Sequence, residues 1–136
     1  MILQKEILLP PFSRGFHLID DLVLDALGQL PQTGLLNIFL KHTSAALMLN
    51  ENADPDVRTD LETLLNRMAP EGASFYTHVL EGADDMPAHF KSAVLGTSLT
   101  LPVTDYRINT GTWQGIYLCE FRRHGGRRRL VLTLYS

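Results

Sequence analysis

The stretch GLLNIFLKHTSAALMLN, Gly34 to Asn50, contains two apolar runs with a short polar step between them. Gly34 to Lys41 and Ala45 to Asn50 each have the length and aliphatic content of a buried strand. His42, Thr43 and Ser44 form the step. The stretch therefore predicts two strands of one core, with polar side chains at a strand end, where binding and catalytic residues often lie.

Further strands are predicted on both sides of this stretch. They cover Leu3 to Leu9, Gly15 to Ile19, Gly72 to Leu80, Ser98 to Val103, Trp113 to Arg122 and Arg128 to Tyr135. The last two strands are joined by the segment RHGGR, residues 123–127. Its paired glycines suit a hairpin turn that needs positive φ, so a hairpin is predicted there.

Three helices are predicted between the strands. Asp20 caps the first and Pro31 closes it, whereas Asp54 and Pro55 start the second in the usual order of cap and first-turn proline. Asp85 opens the third. The apolar stripe of the second helix is Val57, Leu61, Leu64, Leu65 and Met68, and that of the third includes Met86, Phe90, Ala93 and Val94. The pattern predicts an α+β fold over residues 1–136, a single compact domain with mostly antiparallel sheet and the helices on one side.

The composition is that of one ordinary globular domain: 136 residues, 45 % hydrophobic and 20 % charged. No apolar run approaches the roughly 20 residues that cross a bilayer, and the first residues lack the pattern of a secretory signal. The single cysteine, Cys119, has no partner for a disulfide or a thiolate zinc site, and it is interpreted as a small buried hydrophobe. These features predict a cytoplasmic protein that does not act at a membrane.

The net charge of −3 conceals an uneven distribution. From Thr43 to Asp85 there are nine acidic residues against two arginines, and from Tyr106 to Ser136 six arginines against one glutamate. Two interpretations stay open: solvated surface with pairing inside the chain, or a site for a charged ligand. Nucleic acid is not an expected partner, because the basic footprint and the aromatic-basic motifs of RNA-binding domains are missing.

Three histidines lie at or near the ends of predicted elements: His42, His78 and His89. The hydroxyls and amides of Thr43 and Ser44, directly after His42, suit an oxyanion or a phosphate. His89 stands one turn beyond Asp85, so the pair is either a base with its orienting acid or a metal ligand with a supporting carboxylate. Each histidine taken alone is also explained as a half-buried side chain bonded to a backbone carbonyl.

The carboxylates admit similar alternatives. Glu81, Asp84 and Asp85 crowd into five residues, and such repulsion calls for a divalent cation or an arginine from the basic end. Asp85 is also explained as a helix cap. Glu120 lies on the face of its strand that carries Ile116 and Leu118, so it is either an interface pairing or a site residue.

The basic end and the lone tryptophan supply candidates for ligand binding. Trp113, beside Gln114, either fills the core or stacks on a flat ring. Arg127 and Arg129 share one face of a predicted strand and are suited to phosphate oxygens, although a charged edge strand or a subunit contact is the competing interpretation.

Long blocks of this sequence resemble the YjbQ-like family, which is also named for a secondary thiamine-phosphate synthase activity. The blocks are SRGFHL at 13–18, HTSAALMLNENADPDVR at 42–58, HVLEGADDMPAHFKS at 78–92, GTS at 96–98 and GTWQGIYLCEFRRHGGRRR at 111–129. One departure lies in the turn before the last block. The family tends to have a glycine there, whereas this chain has Asp105-Tyr106-Arg107, and Tyr106 is awkward at a positive φ.

The resemblance implies a homotrimer with sheets packed about the threefold axis, and a reaction that joins an aminopyrimidine diphosphate to a thiazole phosphate with release of pyrophosphate. A divalent ion, Mg²⁺ or Zn²⁺, is the implied cofactor. The residues that map to the implied pocket are His42, Thr43, Ser44, Asn52, His78, Glu81, Asp84, Asp85, His89, Trp113, Gln114, Glu120 and the arginines of the basic end.

Within this pocket the residue types suggest distinct roles. Catalysis is assigned to His42, His78, His89, Asp85 and Glu120; substrate binding to Thr43, Ser44, Asn52, Trp113, Gln114, Arg127 and Arg129; and metal binding to His42, His78, His89, Glu81 and Asp84, with Asp85 beside them. Three hypotheses follow: a metal-dependent transferase with weak thiamine-phosphate synthase activity, a trimeric metal- or phosphometabolite-binding protein without turnover, and a hydrolase with a histidine-bound metal.

Overall fold

The computed structural model describes residues 1–136 and contains three helices and two antiparallel sheets. The helices are α1 (Asp20–Leu27), α2 (Pro55–Met68) and α3 (Asp85–Leu95). The strands are β1 (Ile2–Leu8), β2 (Gly15–Leu18), β3 (Thr33–Leu40), β4 (Ala45–Glu51), β5 (Ser98–Thr104), β6 (Arg107–Ile108), β7 (Gln114–Glu120) and β8 (Arg129–Tyr135). The predicted α+β architecture is confirmed. None of the helices combines the length and apolar character needed to cross a bilayer.

Two sheets form the body of the protein. The larger sheet has the strand order β1-β8-β3-β5-β6, and the smaller has the order β2-β7-β4. One hydrophobic core lies between the two sheets and α1, and it includes Leu36 and Ile38 from β3 with Leu47 from β4. Since side chains alternate along a strand, the other face of β3 carries Leu35 and Phe39, which stay about half exposed.

A second core lies between the smaller sheet and the helices α2 and α3. Tyr117 and Cys119 of β7 point into it together with Ala88 of α3 and Leu65 of α2. Cys119 is buried, and burial raises the pKa of its thiol far above the ordinary value, as expected for a packing residue. The predicted alternation along this strand is confirmed, because Glu120 faces the opposite way, with Ile116 and Leu118.

The predicted hairpin between the last two long strands is wrong. β7 pairs with β2 and β4, whereas β8 pairs with β1 and β3, so residues 121–128 carry the chain from one sheet to the other. Gly126 does have a positive φ of 72°. Gly125 is required for another reason: a Cβ at that position would collide with the buried carboxylate of Glu120.

The predicted strand at 72–80 is also wrong. These residues form turns in a long connection between α2 and α3. Gly72 has a φ of 71°, and the side chains of Phe75 and Leu80 are 78 % and 97 % exposed. These apolar side chains pack against no sheet, and a strand depends on such packing more than on the local sequence.

The buried faces of α2 and α3 differ from the predicted stripes. Leu65 is the one buried residue of α2, while Leu64 and Met68 are largely exposed. In α3 the buried residues are Asp85, Pro87, Ala88, Lys91 and Ser92, rather than the apolar set around Phe90. Lys91 is tolerated because its Nζ donates to Asn66 Oδ1 at 2.7 Å, and burial, together with Arg14, lowers its pKa.

Of the three predicted caps, one is confirmed. The carboxylate of Asp54 accepts from the amide of Asp56 at 2.9 Å, with Pro55 following it at the start of α2. Asp20 and Asp85 are instead the first residues of their helices, and neither caps one. Their carboxylates are used by distant parts of the chain: Asp20 accepts from the amide of Ile116.

Candidate metal centre

One carboxylate oxygen gathers two histidines. Asp85 Oδ2 lies 2.6 Å from His78 Nε2 and 3.0 Å from His89 Nε2. The three ligand atoms all lie within 4.8 Å of one another, and Asp85 is 1 % exposed. The convergence of His78, His89 and Asp85 is thus present within a single chain.

Local structure explains why these side chains meet. Asp85 and His89 are four residues apart in α3, so they project from the same helix face. His78 comes from the long connection between α2 and α3, which returns to the start of α3 through Gly82, where φ is 111°. A side chain at Gly82 would press on Asp84, so glycine permits this approach.

Arg122, directly after β7, holds the acidic pair at the start of α3. Its Nη1 donates to Asp85 Oδ1 at 2.6 Å, and its Nε donates to Asp84 Oδ2 at 3.2 Å. Burial alone would raise the pKa of both carboxyls. For Asp84, hydrogen bonds from the Arg123 amide and the Arg122 guanidinium outweigh the effect of burial and lower the pKa below its ordinary value. For Asp85, His78, His89 and Arg122 outweigh the effect of burial and also lower the pKa. The sequence predicted either a divalent cation or an arginine beside the acidic cluster, and an arginine, Arg122, contacts both Asp84 and Asp85.

The second ring nitrogen of His89 fixes its tautomer. His89 Nδ1 lies 2.8 Å from the carbonyl oxygen of Thr43, which can only accept, so Nδ1 carries the proton and donates. In the neutral imidazole, Nε2 then presents a lone pair to the oxygen of Asp85. That contact is favourable only when a proton or a cation lies between the two atoms.

Glu81 and His42 are near the cluster but not in it. Glu81 Oε2 lies 3.8 Å from His78 Nε2, and its side chain is 65 % exposed. His42 Nε2 accepts from the amide of Arg129 at 2.8 Å, which leaves its Nδ1–H as the remaining donor. Burial and the positive charge of Arg128 lower the pKa of His42, so this imidazole is neutral near pH 7.

A cleft of about 530 Å³ opens beside the cluster. His42 and Thr43 form one side of it, and His89, Ser92 and Thr97 lie on another. The amides of His42 and Thr43 donate no hydrogen bond within the chain. The lining of the cleft also includes the apolar side chains of Phe39, Leu40 and Ala93. Backbone amides and hydroxyls are the groups with which proteins commonly bind anions.

Ser44 and Glu120 serve a buried ion pair instead of the cleft. Arg128 Nε donates to Glu120 Oε1 at 2.7 Å, and Arg128 Nη2 donates to Glu120 Oε2 at 2.5 Å and to Ser44 Oγ at 3.0 Å. The side chains of Arg128 and Glu120 are 6 % and 0 % exposed. The Glu120 carboxylate is thus paired inside its own chain, and the expected interface pairing and catalytic role both stay predictions.

The remaining candidates lie apart from the cluster. Asn52 donates to the carbonyl oxygens of Thr112 and Gln114, which places it with Trp113 at the start of β7. The cluster lies beyond the end of this strand, after Glu120, so the six residue steps from Gln114 to Glu120 separate the two groups by roughly 20 Å. Trp113 is exposed rather than in the core.

The two arginines assigned to phosphate also lie outside the cleft. Arg127 donates to the carbonyl oxygens of Leu9 and Leu8, and the guanidinium of Arg129 extends toward Glu6 at 3.8 Å. Sequence reasoning did not single out Arg122 and Arg128, the two arginines that hold buried carboxylates. Their position in the sequence could have indicated this role, because both follow the strand that carries Glu120 on its apolar face.

The sequence of this chain is similar to those of known proteins. Residues 5–136 match the family model described as "UPF0047 protein YjbQ-like". The UPF0047 protein YjbQ of Escherichia coli O157:H7 is 55 % identical over 133 residues, which cover 96 % of each chain. UPF0047 protein YugU of Bacillus subtilis is 40 % identical over 96 residues, covering 68 % of this chain and 70 % of that one.

Solved structures agree with the fold. The conserved hypothetical protein TT1486 of Thermus thermophilus superposes with a TM-score of 0.83 at 35 % identity, covering 97 % of this chain and 99 % of that one. A YbjQ-like protein of unknown function from Sulfolobus solfataricus gives a TM-score of 0.85 over 100 % of this chain and 98 % of that one. Its identity of 23 % supports the fold alone.

Proposed function

Because this chain belongs to the YjbQ-like UPF0047 family, we propose that it is a metal-dependent enzyme acting on a phosphorylated small molecule, with His78, Asp85 and His89 holding one divalent ion. The observation that carries the proposal is the bond from His89 Nδ1 to the carbonyl oxygen of Thr43. This bond turns the Nε2 lone pair toward Asp85, and a backbone carbonyl is a common partner of the distal nitrogen of a metal-bound histidine.

The donor set fits an ion of the zinc type. Ligand atoms on one tetrahedral zinc ion lie about 3.4 Å apart when the bonds are about 2.1 Å long. The spacings here are 2.6 Å, 3.0 Å and at most 4.8 Å, so small side-chain movements suffice. Two imidazoles with one carboxylate favour Zn²⁺ or another transition-metal ion over Mg²⁺, which prefers an all-oxygen shell. Glu81, 3.8 Å from His78, is available as a further ligand.

The cleft supports a phosphorylated substrate. The free amides of His42 and Thr43 and the His42 Nδ1–H are donors for phosphate oxygens. His42 stays neutral and acts as a donor, because its Nε2 lone pair is taken by the Arg129 amide. Ser92 and Thr97 add hydroxyl groups on the opposite side. Arg122 holds Asp85 in place through the bond to Oδ1 and leaves Oδ2 to face the histidines.

The specific reaction proposed is the one that the family resemblance implies. The ring nitrogen of a thiazole phosphate forms a bond to the methylene carbon of an aminopyrimidine diphosphate, and the carbon–oxygen bond to the diphosphate breaks. The electron pair leaves with pyrophosphate. The donors of the cleft stabilise the charge that develops on this leaving group, and a bound divalent ion would supply further charge neutralisation. We place the enzyme in the cytoplasm, which the free, buried Cys119 supports.

The experiment is an assay of the purified protein with Zn²⁺ or Mg²⁺ and both precursors. We expect thiamine phosphate and pyrophosphate in equal amounts, and no product above background from His89→Ala or Asp85→Asn. His17→Ala is the matched control, because His17 donates to the Ser13 carbonyl outside the cleft and should keep full activity. If ligand and metal raise the melting temperature but no product forms, the chain is a binding protein without turnover. Product formation by His89→Ala would contradict the role of the cluster.

We also propose that the chain assembles as a homotrimer through the uncovered face of the larger sheet. No helix packs on this face, which carries the exposed side chains Ile2, Leu35, Phe39 and Tyr135. Phe39 also lines the cleft, so a neighbouring copy on this face would close the cleft from outside. Light scattering should give three chains per particle, and Leu35→Lys should dissociate them. A monomeric wild-type protein would contradict the proposal.

A further inference from the structure

A second cleft, of about 450 Å³, lies between α1 and the turn that joins β5 to β6. Asp20 accepts from the amide of Ile116 in the first half of β7, so this cleft lies away from the end where the histidines meet. None of its lining residues belongs to the cluster or to the cleft beside it. Its lining includes Asp20, Leu24, Leu30, Tyr106, Arg107 and Ile108.

The cleft carries two opposite charges that do not meet. Asp20 Oδ1 accepts the amide hydrogen of Ile116 at 3.0 Å, whereas its Oδ2 has no partner and no cation lies within 4 Å. The exposed guanidinium of Arg107 forms neither an ion pair nor a hydrogen bond within the chain, whereas the backbone of this residue pairs with Thr104. By contrast, Arg122 and Arg128 both hold carboxylates. An unformed ion pair whose members line one cleft is available to a ligand with both charges.

The same cleft has apolar lining residues. Leu30 is buried, Ile108 is half-buried and Leu24 is partly exposed. A cleft of this size with apolar side chains and a few polar groups is typical of small-molecule sites.

The wall that carries Arg107 is held in a strained turn. Asp105 and Tyr106 have φ values of 50° and 66°. Aspartate is common in this left-handed region together with glycine and asparagine, whereas tyrosine is rare there. The two-residue loop matches the turn type that the strand twist favours, which explains the positive φ values. It does not explain a tyrosine there, since glycine would relieve about 1 kcal/mol of strain. Such strain is often found where a side chain serves a site.

We propose that this cleft binds a free α-amino acid with an apolar side chain. The ammonium group bonds to the free oxygen of Asp20, the carboxylate is held by the guanidinium of Arg107, and the side chain covers Leu24, Leu30 and Ile108. Tyr106 closes one wall. The site is independent of the metal cluster, so it stands whether or not the proposed reaction is found.

The test is a titration of the isotope-labelled protein with L-leucine, followed by the amide resonances in NMR spectra. Saturable shifts are expected in residues 20–30 and 105–110. Asp20→Asn, which keeps the acceptor for the Ile116 amide, and Arg107→Gln should each weaken binding about tenfold or more, because each removes a charged hydrogen bond. Leucinamide, which lacks the carboxylate, and 4-methylpentanoate, which lacks the amine, should bind about tenfold more weakly than leucine.

Two matched controls accompany the titration. Asp21→Asn changes the neighbouring carboxylate, and Arg67→Gln changes an exposed arginine, and neither residue lines the cleft. Both should bind leucine as the wild type does, and the dispersion of each spectrum reports whether the variant is folded. The proposal is overturned if no saturable shift occurs up to about 10 mM leucine, if the shifts lie elsewhere, or if leucinamide and 4-methylpentanoate bind as well as leucine.

Discussion

Replacing Glu120 with alanine should lower the free energy of unfolding by about 3–5 kcal/mol, because it leaves the guanidinium of Arg128 buried without its partner. Arg128 is 5 % exposed and spends both donating nitrogens on the Glu120 carboxylate, with Ser44 as the one remaining acceptor. Chemical unfolding monitored by circular dichroism measures the change.

Two further variants separate the ion pair from packing. Glu81→Ala removes an exposed glutamate and should change stability by less than about 0.5 kcal/mol. The double variant Glu120→Leu with Arg128→Met replaces the pair by apolar side chains of similar size and should recover most of the loss. If Glu120→Ala lowers the free energy of unfolding by less than about 1 kcal/mol, water reaches the Arg128 guanidinium and the ion pair is not enclosed.

Replacing His89 with alanine should weaken zinc binding about a hundredfold or more, because it removes one of the three proposed ligands together with the Thr43 bond that orients it. The affinity is measured by competition with a chelator of known affinity. His17→Ala should leave it unchanged, since His17 bonds to Ser13 and stacks on Phe12. Equal zinc affinity in His89→Ala would show that the ion binds elsewhere.

The strands were predictable from sequence because each long one carries its own apolar signal. Seven of the predicted strands correspond to observed ones, namely β1, β2, β3, β4, β5, β7 and β8. The separation of β7 and β8 into different sheets was not predictable, because the glycines at 125 and 126 resemble a hairpin turn. In the structure one of them makes room for Glu120, and the chain between the strands changes sheet.

The face of α3 was predicted wrongly for a related reason. Periodicity assumes that apolar residues are buried, but here Asp85 and Lys91 are buried and Phe90 is partly exposed. Their partners, Arg122 and Asn66, lie far away in sequence. No local pattern in α3 indicates that its charged residues are paired, so the hydrophobic pattern pointed to the opposite face.

The candidate site was predictable in part. His78, His89 and Asp85 were selected from the sequence, and the spacing of Asp85 and His89 in a helix indicated their contact. The approach of His78 depends on the turns of residues 72–84, which carry no periodic signal. Trp113 and Gln114 were grouped with the histidines by the family resemblance, whereas within one chain the length of β7 separates them.

The most direct measurement of the central claim is a crystal structure of the zinc-loaded protein, with anomalous scattering recorded at the zinc edge. We expect one strong peak per chain, within about 2.2 Å of His78 Nε2, His89 Nε2 and an Asp85 oxygen. The Arg122 contact to the other oxygen of Asp85 and the Thr43 contact to His89 should both persist. A peak at any other group of side chains, or no peak in protein soaked to saturation, would contradict the account.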